Sequence, residues 1–518
     1  MPLDVPACAF ALPEGVDPAA LVSFLGERFD LAVDAPERID HTVIDTADRR
    51  LRAAGAELRL HTLRGEPTMT LVGRPGAPPL RATVRRRRRW LAGDLPEGPL
   101  RDRVAPTIGV RALLPLARVR GEVRPARVLN RDDKTVVRLR LAVHAAVVDG
   151  GEVPLAPRLE VAGVLGYRRP YERLVSVLAS EAGLVEAPGG VADEAIAAAG
   201  GDPAGVPSKV RVPLRPDQRT DEAAVAVLRA LAGVVEANLP GTLDDLDTEF
   251  LHDLRVAVRR SRSVLREMKG AFPPGPLRRQ RDALRWVQAV TGPTRDLDVQ
   301  LLEWGDLLAA LPEDRRAALA PVRALLERRR DDAHRALRRE LTGDAHATAW
   351  GGYRRFLDGD LGPDGERPDA AAPVAAVAGR RIRKVYRRMV AMGEAVDDAS
   401  PATALHDLRK RGKELRYLLE LFGGLWPGDA AREMVRALKS LQDVLGTHQD
   451  REVQADALRS LAPDLAGMEG GPDALLALGA VVDRLGAEQR AARERFAERF
   501  ADFASPERRA LVAETFRP

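Results

Sequence analysis

Two stretches of this chain repeat the same set of cationic side chains. His252-Asp253-Leu254-Arg255, followed by Arg259 and Arg262, is matched by His406-Asp407-Leu408-Arg409, followed by Lys413 and Arg416. A second block, Gln288, Val290, Gly292, Asp296, Asp298 and Val299, is matched by Gln442, Val444, Gly446, Asp450, Glu452 and Val453. Both blocks align at one offset of 154 residues without a gap. Cations duplicated in this way are suited to holding an anion. The planar fork of arginine gives two parallel hydrogen bonds to phosphate oxygens, and an imidazole donates one N–H when neutral and two when charged.

Spacing sets where they point. Offsets of 0, 3, 7 and 10 residues at ~100° each fall within an arc of about 80° on a helix. His252, Arg255, Arg259 and Arg262 therefore share one face, as do His406, Arg409, Lys413 and Arg416. Arg285 and Lys439 are equivalent at the same offset. The opposite face holds Leu254, Val258 (or Val256), Val264 and Leu265, with Leu408, Leu415, Leu418 and Leu419 in the second copy, and these are expected in the core. Like charges one turn apart repel by a few tenths of a kcal/mol per pair. An extended polyanion would relieve that repulsion, bind in a salt-dependent way, and favour charged histidines. A single basic helix face is most often only solvated, but duplication of the whole constellation weighs against that here. Asp296/Asp298 and Asp450/Glu452 are expected to cap helices or hold arginines. Glu249-x-x-His252 has the spacing of a helical di-iron ligand pair. Thr403 replaces the carboxylate in the second copy, and surrounding arginines oppose a cation, so no metal, cofactor or catalytic residue is expected.

The elements that must position these residues change character along the chain. At 518 residues it is too long for one core, and with 45% apolar and 30% charged residues it is ordinary for a globular protein. Lys+Arg 81 against Asp+Glu 76 leaves only +5, so anion binding has to come from clustering. Cys8 is the single cysteine, which excludes an internal disulfide and a cysteine zinc site. The N-terminal segment lacks the basic region of a secretory signal, and no uncharged apolar run approaches the ~20 residues that span a bilayer. A cytoplasmic protein without a membrane partner is expected.

Residues 1–185 read as short strands, including HTVIDT (41–46), AELRLHTL (56–63), TMTLVG (68–73), RATVRRRRRW (81–90) and VVRLRLAVHAAVV (136–148). Helices are expected over Pro18–Arg28 and Arg168–Ala182. The pattern predicts an antiparallel β-barrel or strongly curved sheet. Residues 186–206, rich in Gly, Ala, Pro and Asp, read as a linker. Long amphipathic helices fill 207–518, in halves of about 207–345 and 370–515. Duplication predicts two similar bundles about a pseudo-two-fold axis, and the fold class expected is α+β in two domains.

The helical half resembles the CHAD family, on LHDLRVAVRRSRSVL (251–265) and LQDVLGTHQDREV (441–453). The resemblance covers roughly residues 207–515. It implies an all-α pair of four-helix bundles whose basic central surface binds inorganic polyphosphate. The anion-contacting positions it implies are His252, Arg255, Arg259, Arg262, His406, Arg409, Lys413 and Arg416, with Arg285 and Lys439 as second-tier contributors. Targeting to polyphosphate granules, with granule-associated proteins as partners, is compatible with it.

The N-terminal half resembles the CYTH family of triphosphate-tunnel barrels, on IDTADRRLRAAGAELRL (44–60), RALLPLARVRGEVR (111–124) and PRLEVAGVLGYRRPYERLVSVL (157–178). It departs from that pattern where metal chemistry is done. Ala7-Cys8-Ala9-Phe10-Ala11-Leu12 stands in place of acidic-x-acidic-x-Lys, Glu160 is followed by Ala162 at the second acidic place, and Thr70-Leu71 by Val72 in place of lysine. Phosphoryl transfer needs carboxylates to hold its divalent metal, so a non-catalytic domain is expected, with Arg59, His61 and Arg85 to Arg89 as a residual basic lining. The alternative is a CYTH-type triphosphatase acting on inorganic triphosphate or a nucleotide. Nucleic acid is the weaker ligand, because few aromatics interleave with the basic helices.

Overall fold

Period-two alternation along the first two hundred residues builds one antiparallel sheet. The computed structural model describes residues 6–13, 16–73, 78–309, 311–359, 361, 366–397 and 399–517. The chain divides into two compact units, Met1–Pro207 and Ser208–Pro518.

The first unit runs β1 (Ala7–Ala11), α1 (Pro18–Gly26), β2 (Leu31–Val33), β3 (Glu37–Thr46), α2 (Arg50–Ala53), β4 (Glu57–Leu63), β5 (Glu66–Val72) and β6 (Leu80–Thr83). It continues with α3 (Pro99–Ile108), β7 (Leu113–Leu129), β8 (Thr135–Val148), β9 (Gly151–Pro154), β10 (Arg158–Gly163), α4 (Arg168–Ser180), β11 (Val185–Glu186) and α5 (Val191–Ala198). The strand order is β11-β1-β10-β8-β7-β3-β4-β5-β6, with β2 on β7 and β9 on β8. Closing a barrel needs the two outer strands to share a ladder. Here β11 has two residues and β6 four, and among the described residues they do not pair. The sheet is open, which corrects the expected barrel.

Two further differences follow from local chemistry. The run expected as a strand over 81–90 stops at Thr83, after which Arg86 bonds the Thr62 hydroxyl at 3.1 Å and Arg87 pairs with Asp94 at 2.8 Å. Arg85 to Arg89 therefore do not join a strand face. The segment read as a linker packs as part of the first unit. Its β11 pairs with β1, and Ala195 and Ile196 of α5 are buried against Val43, Val119 and Ala146 of the sheet. Arginines fix it further: Arg158 bonds the Gly189 carbonyl and the Glu194 carboxylate, Arg52 pairs with Asp193 at 2.7 Å, and Arg49 bonds the Asp202 carbonyl at 2.7 Å. A Gly- and Ala-rich composition reads as a spacer, but two adjacent apolar residues and these anchors suffice to dock it.

The second unit opens with α6 (Thr220–Leu243), α7 (Thr248–Glu267), α8 (Pro274–Val290), α9 (Gly292–Leu302), α10 (Trp304–Ala309), α11 (Glu313–Ala318), α12 (Ala320–Thr342) and α13 (Asp344–Asp358). The second half follows with α14 (Val374–Glu394), α15 (Ala402–Phe422), α16 (Ala430–Arg459), α17 (Ala462–Ala466), α18 (Gly471–Glu494), α19 (Phe496–Phe503) and α20 (Pro506–Thr515). The 154-residue offset lays α6 on α14, α7 on α15, α8 with α9 on α16, and α12 on α18. Pro293 explains why α8 and α9 are separate where α16 is continuous. It has no N–H for the ladder, and its counterpart is Thr447. By length and composition α6 is apolar enough to cross a membrane, yet it is a core helix whose Val227, Leu228 and Leu231 are buried.

The halves meet through one shared core, in which Leu228, Val258 and Leu265 pack in the same cluster as Ile382, Leu415 and Phe422. Across the contact between α7 and α15, Arg260 pairs with Glu420 at 2.5 Å and Arg266 with Glu414 at 2.9 Å. The offset maps Arg260 onto Glu414 and Arg266 onto Glu420, so this is one contact made twice. Such reciprocity is the signature of a two-fold interface.

Candidate anion-binding site

The basic stripes sit on the two helices that cross this interface. Asp247 starts α7, its carboxylate accepting from the N–H groups of Glu249 at 2.9 Å and Phe250 at 3.3 Å. The start of α15 has no side-chain cap, and the Ser400 hydroxyl instead donates to the Asp397 carboxylate at 2.8 Å. Leu254, Val258, Val264 and Leu265 are buried, as are Leu408, Leu415, Leu418 and Leu419. Of the two valines weighed for the core, Val258 enters it and Val256 lines a groove.

Two cavities adjoin along the seam. The larger, about 640 Å³, is lined by His252, Arg259, Arg409, Lys413 and Arg416, together with Lys209, Arg260 and Arg451. Asp253, Glu303, Asp443 and Asp450 temper its charge. The smaller, about 310 Å³, gathers Arg259, Arg262, Arg266, Arg281, Arg285, Lys410 and Lys413 around a single carboxylate, Glu414. Arg259, Lys413 and Tyr417 line both. The strongest concentration of positive charge thus lies on the side of the first half.

Three of the sequence-derived positions line neither cavity. Arg255 donates to the Gln288 carbonyl and the Thr291 hydroxyl, both at 2.8 Å, and burial pulls its pKa down to about 10. It ties α7 to the junction of α8 and α9. His406 is half-buried, and its Nδ1 is buried without a hydrogen-bond partner among the described residues. Lys439 is exposed on α16. The second duplicated block packs on the first: a Cβ at Gly292 would lie 3.8 Å from the Arg255 guanidinium, and one at Gly446 would lie 3.9 Å from that of Arg409. Asp450 holds Arg409 at 2.9 Å, the arginine-holding role expected of it.

The remaining cations divide by how they are compensated. Arg416 is committed to Glu420 at 2.6 Å and to Gln442 at 3.3 Å, and the Arg259 Nε donates to the Tyr417 hydroxyl at 2.6 Å. Among the described residues, no ion pair neutralises Arg262, Arg281 or Lys413. Burial, followed by repulsion from Arg409 and Arg259, lowers the Lys413 ammonium to about 8, with Asp450 opposing. Burial and then Arg285, Arg266 and Arg281 lower Arg262. Half-buried cations crowded by like charge are relieved by an anion. Arg281 and Lys410 escaped the reading of the repeat because their counterparts are Val435 and Val256. The spacing of Arg281 and Arg285 four residues apart was the available signal. No cluster of His, Cys, Asp and Glu suited to a metal occurs among the described residues.

A family model for the CHAD domain matches residues 226–459, from within α6 to the end of α16. Those residues are a CHAD domain. An uncharacterized protein of Mycobacterium tuberculosis, found in two strains, is 31% identical over 230 residues, which is 42% of this chain and 42% of the relative. The match thus spans less than half of the relative's length. Among solved structures, the CHAD domain of the plant Ricinus communis is 22% identical, with 59% of this chain and 96% of that chain covered and a TM-score of 0.45. PptA from Streptomyces chartreusis is 20% identical, with 55% and 99% covered and a TM-score of 0.44. Both seam helices, and therefore both basic stripes, lie inside the matched part of the CHAD domain.

Proposed function

We propose that the helical unit binds inorganic polyphosphate along the seam between α7 and α15. The observation that supports this best is the smaller cavity, where seven cationic side chains surround one carboxylate. A chain of phosphates has one negative charge at each repeat, so it can engage Arg259, Arg262, Arg285 and Lys413 together and extend past Lys413 into the larger groove. His252, Arg409 and Arg416 would continue the contact there. Arg255 supports the site by bracing α7, and His406 and Lys439 would act at its margin. Residence in the cytoplasm, on polyphosphate granules and among their proteins, belongs to the same reading.

The sheet unit is read as non-catalytic. Its register places Ala9 opposite Glu160 and Ala7 opposite Ala162, so the strand that would supply metal carboxylates presents methyl groups on that face. Metal-dependent release of phosphate from triphosphate by the purified chain would overturn this part.

The binding test is titration with long-chain polyphosphate at several salt concentrations, for wild type and for Arg262→Gln/Lys413→Gln. Affinity should fall steeply with salt and drop at least ten-fold in the double variant. Unchanged affinity in a folded double variant would remove the seam as the site. Single-stranded DNA at matched salt serves as competitor and should displace polyphosphate poorly.

A further inference from the structure

The two halves treat one equivalent groove in opposite ways. In the first half, Arg229 of α6 bonds the Asp358 carboxylate at 3.1 Å and the Leu357 carbonyl at 2.7 Å. Beside it Trp350 donates to Glu236 at 2.9 Å, with Arg354 3.5 Å from the same carboxylate. Between α6 and α13 an indole thus bonds an acid, and two acids neutralise the arginines. The 154-residue offset maps Arg229 onto Arg383, Asp358 onto Val512, Glu236 onto Val390 and Trp350 onto Ala504. The arginine is kept, and the indole and both carboxylates are gone.

What remains is a cavity of about 440 Å³ between α14 and α20, walled by Tyr386, Val390, Ala391, Val512 and Ala513. Arg383 and Arg387 line it, and among the described residues neither has an ion-pair or hydrogen-bond partner. The Arg383 Nε is buried and unsatisfied. The remaining charged pair, Arg509 with Glu394 at 2.6 Å, is already self-compensated. Arg387 is exposed, whereas Arg383 is half-buried beside an apolar wall, where an unmet guanidinium donor is costly unless an anion meets it. The wall in turn favours an apolar body over a bare inorganic ion.

We propose that this cavity binds a small amphiphilic monoanion, a carboxylate with an apolar body, whose head group meets Arg383 where the first half supplies Asp358. The site lies apart from the seam, and its occupant differs in chemistry from a phosphate chain.

The test uses the full chain, with octanoate as probe and octanamide as its neutral counterpart, followed by titration calorimetry. Octanoate should bind saturably, one per chain, and at least ten-fold more tightly than octanamide. Arg383→Gln should weaken octanoate about ten-fold. Val512→Asp should abolish its binding by restoring the ion pair of the first half, and polyphosphate affinity should stay unchanged in both variants. Arg383 is only half-buried, so its variant keeps the test usable if Val512→Asp unfolds. No saturable octanoate binding, equal binding of octanamide, full binding by Arg383→Gln, or displacement of octanoate by polyphosphate would each overturn the proposal.

Discussion

Arg259 of the first half donates its Nε–H to the hydroxyl of Tyr417 in the second half, at 2.6 Å, and both residues line both seam cavities. The bond aims one guanidinium edge across the two-fold and leaves the other edge for a ligand. Tyr417→Phe should cost about 1 kcal/mol of stability and change polyphosphate affinity less than three-fold. Arg259→Gln should cut affinity at least five-fold. Denaturant unfolding and a binding titration on the same two variants separate the roles, and the idea fails if the ranking is reversed.

Binding of polyphosphate at the seam should depend on pH through Lys413. With its free pKa near 8, part of the population is neutral above that value, while a bound anion favours the charged form. Binding therefore takes up a proton, and affinity should fall as pH rises from 7 to 9, by about ten-fold. Lys413→Arg should flatten the profile over that range. A flat wild-type profile would show that Lys413 does not meet the ligand.

Glu414 should oppose an anion in the smaller cavity while its ion pairs support the fold. It pairs with Arg266 at 2.9 Å and Arg411 at 2.5 Å, and it is the one carboxylate in the smaller cavity. Glu414→Gln should therefore lower stability by roughly 1–3 kcal/mol and raise polyphosphate affinity several-fold. Loss of both stability and affinity would mean the carboxylate positions cations that the ligand needs.

The sheet unit should be acid-sensitive. Burial, then Arg59 and neighbouring histidines, holds His41 down to about 3; burial, then Arg59, Arg158 and Arg140, holds His144 down to about 4. Both are neutral in the folded unit, whereas the unfolded imidazoles take a proton near 6.5. The stability they contribute is thus fully present above that value and is lost as pH falls towards the folded pKa. Between pH 7 and 5 the loss should be on the order of 2 kcal/mol for each. Amide exchange in β7 and β8 at the two pH values measures it, and the double variant His41→Gln/His144→Gln should show a smaller drop.

Much of the candidate site's geometry was legible because helix periodicity is rigid. Four offsets placed the cations on one face, and the buried leucines and Val258 confirm the opposite face. The repeat was blind where a cation is not duplicated, as with Arg281 and Lys410, whose counterparts are Val435 and Val256. It could not foresee that Arg255 bonds Gln288 and Thr291, because those bonds depend on a helix junction that only Pro293 announces. In the sheet, β7 was hidden by Pro115, Gly121 and Pro125, residues that lower strand propensity. The docking of α5 rests on contacts distant in sequence, which composition cannot reveal.

The reciprocal ion pairs of the seam also decide which halves can meet. The first half supplies Arg260 and Arg266, and the second supplies Glu414 and Glu420 at the same two positions. Two first halves brought together would face arginine with arginine twice over, and two second halves would face glutamate with glutamate. Like charges opposed across an interface discriminate strongly against the wrong match. The charges at these two positions thus favour pairing of unlike halves over pairing of like ones.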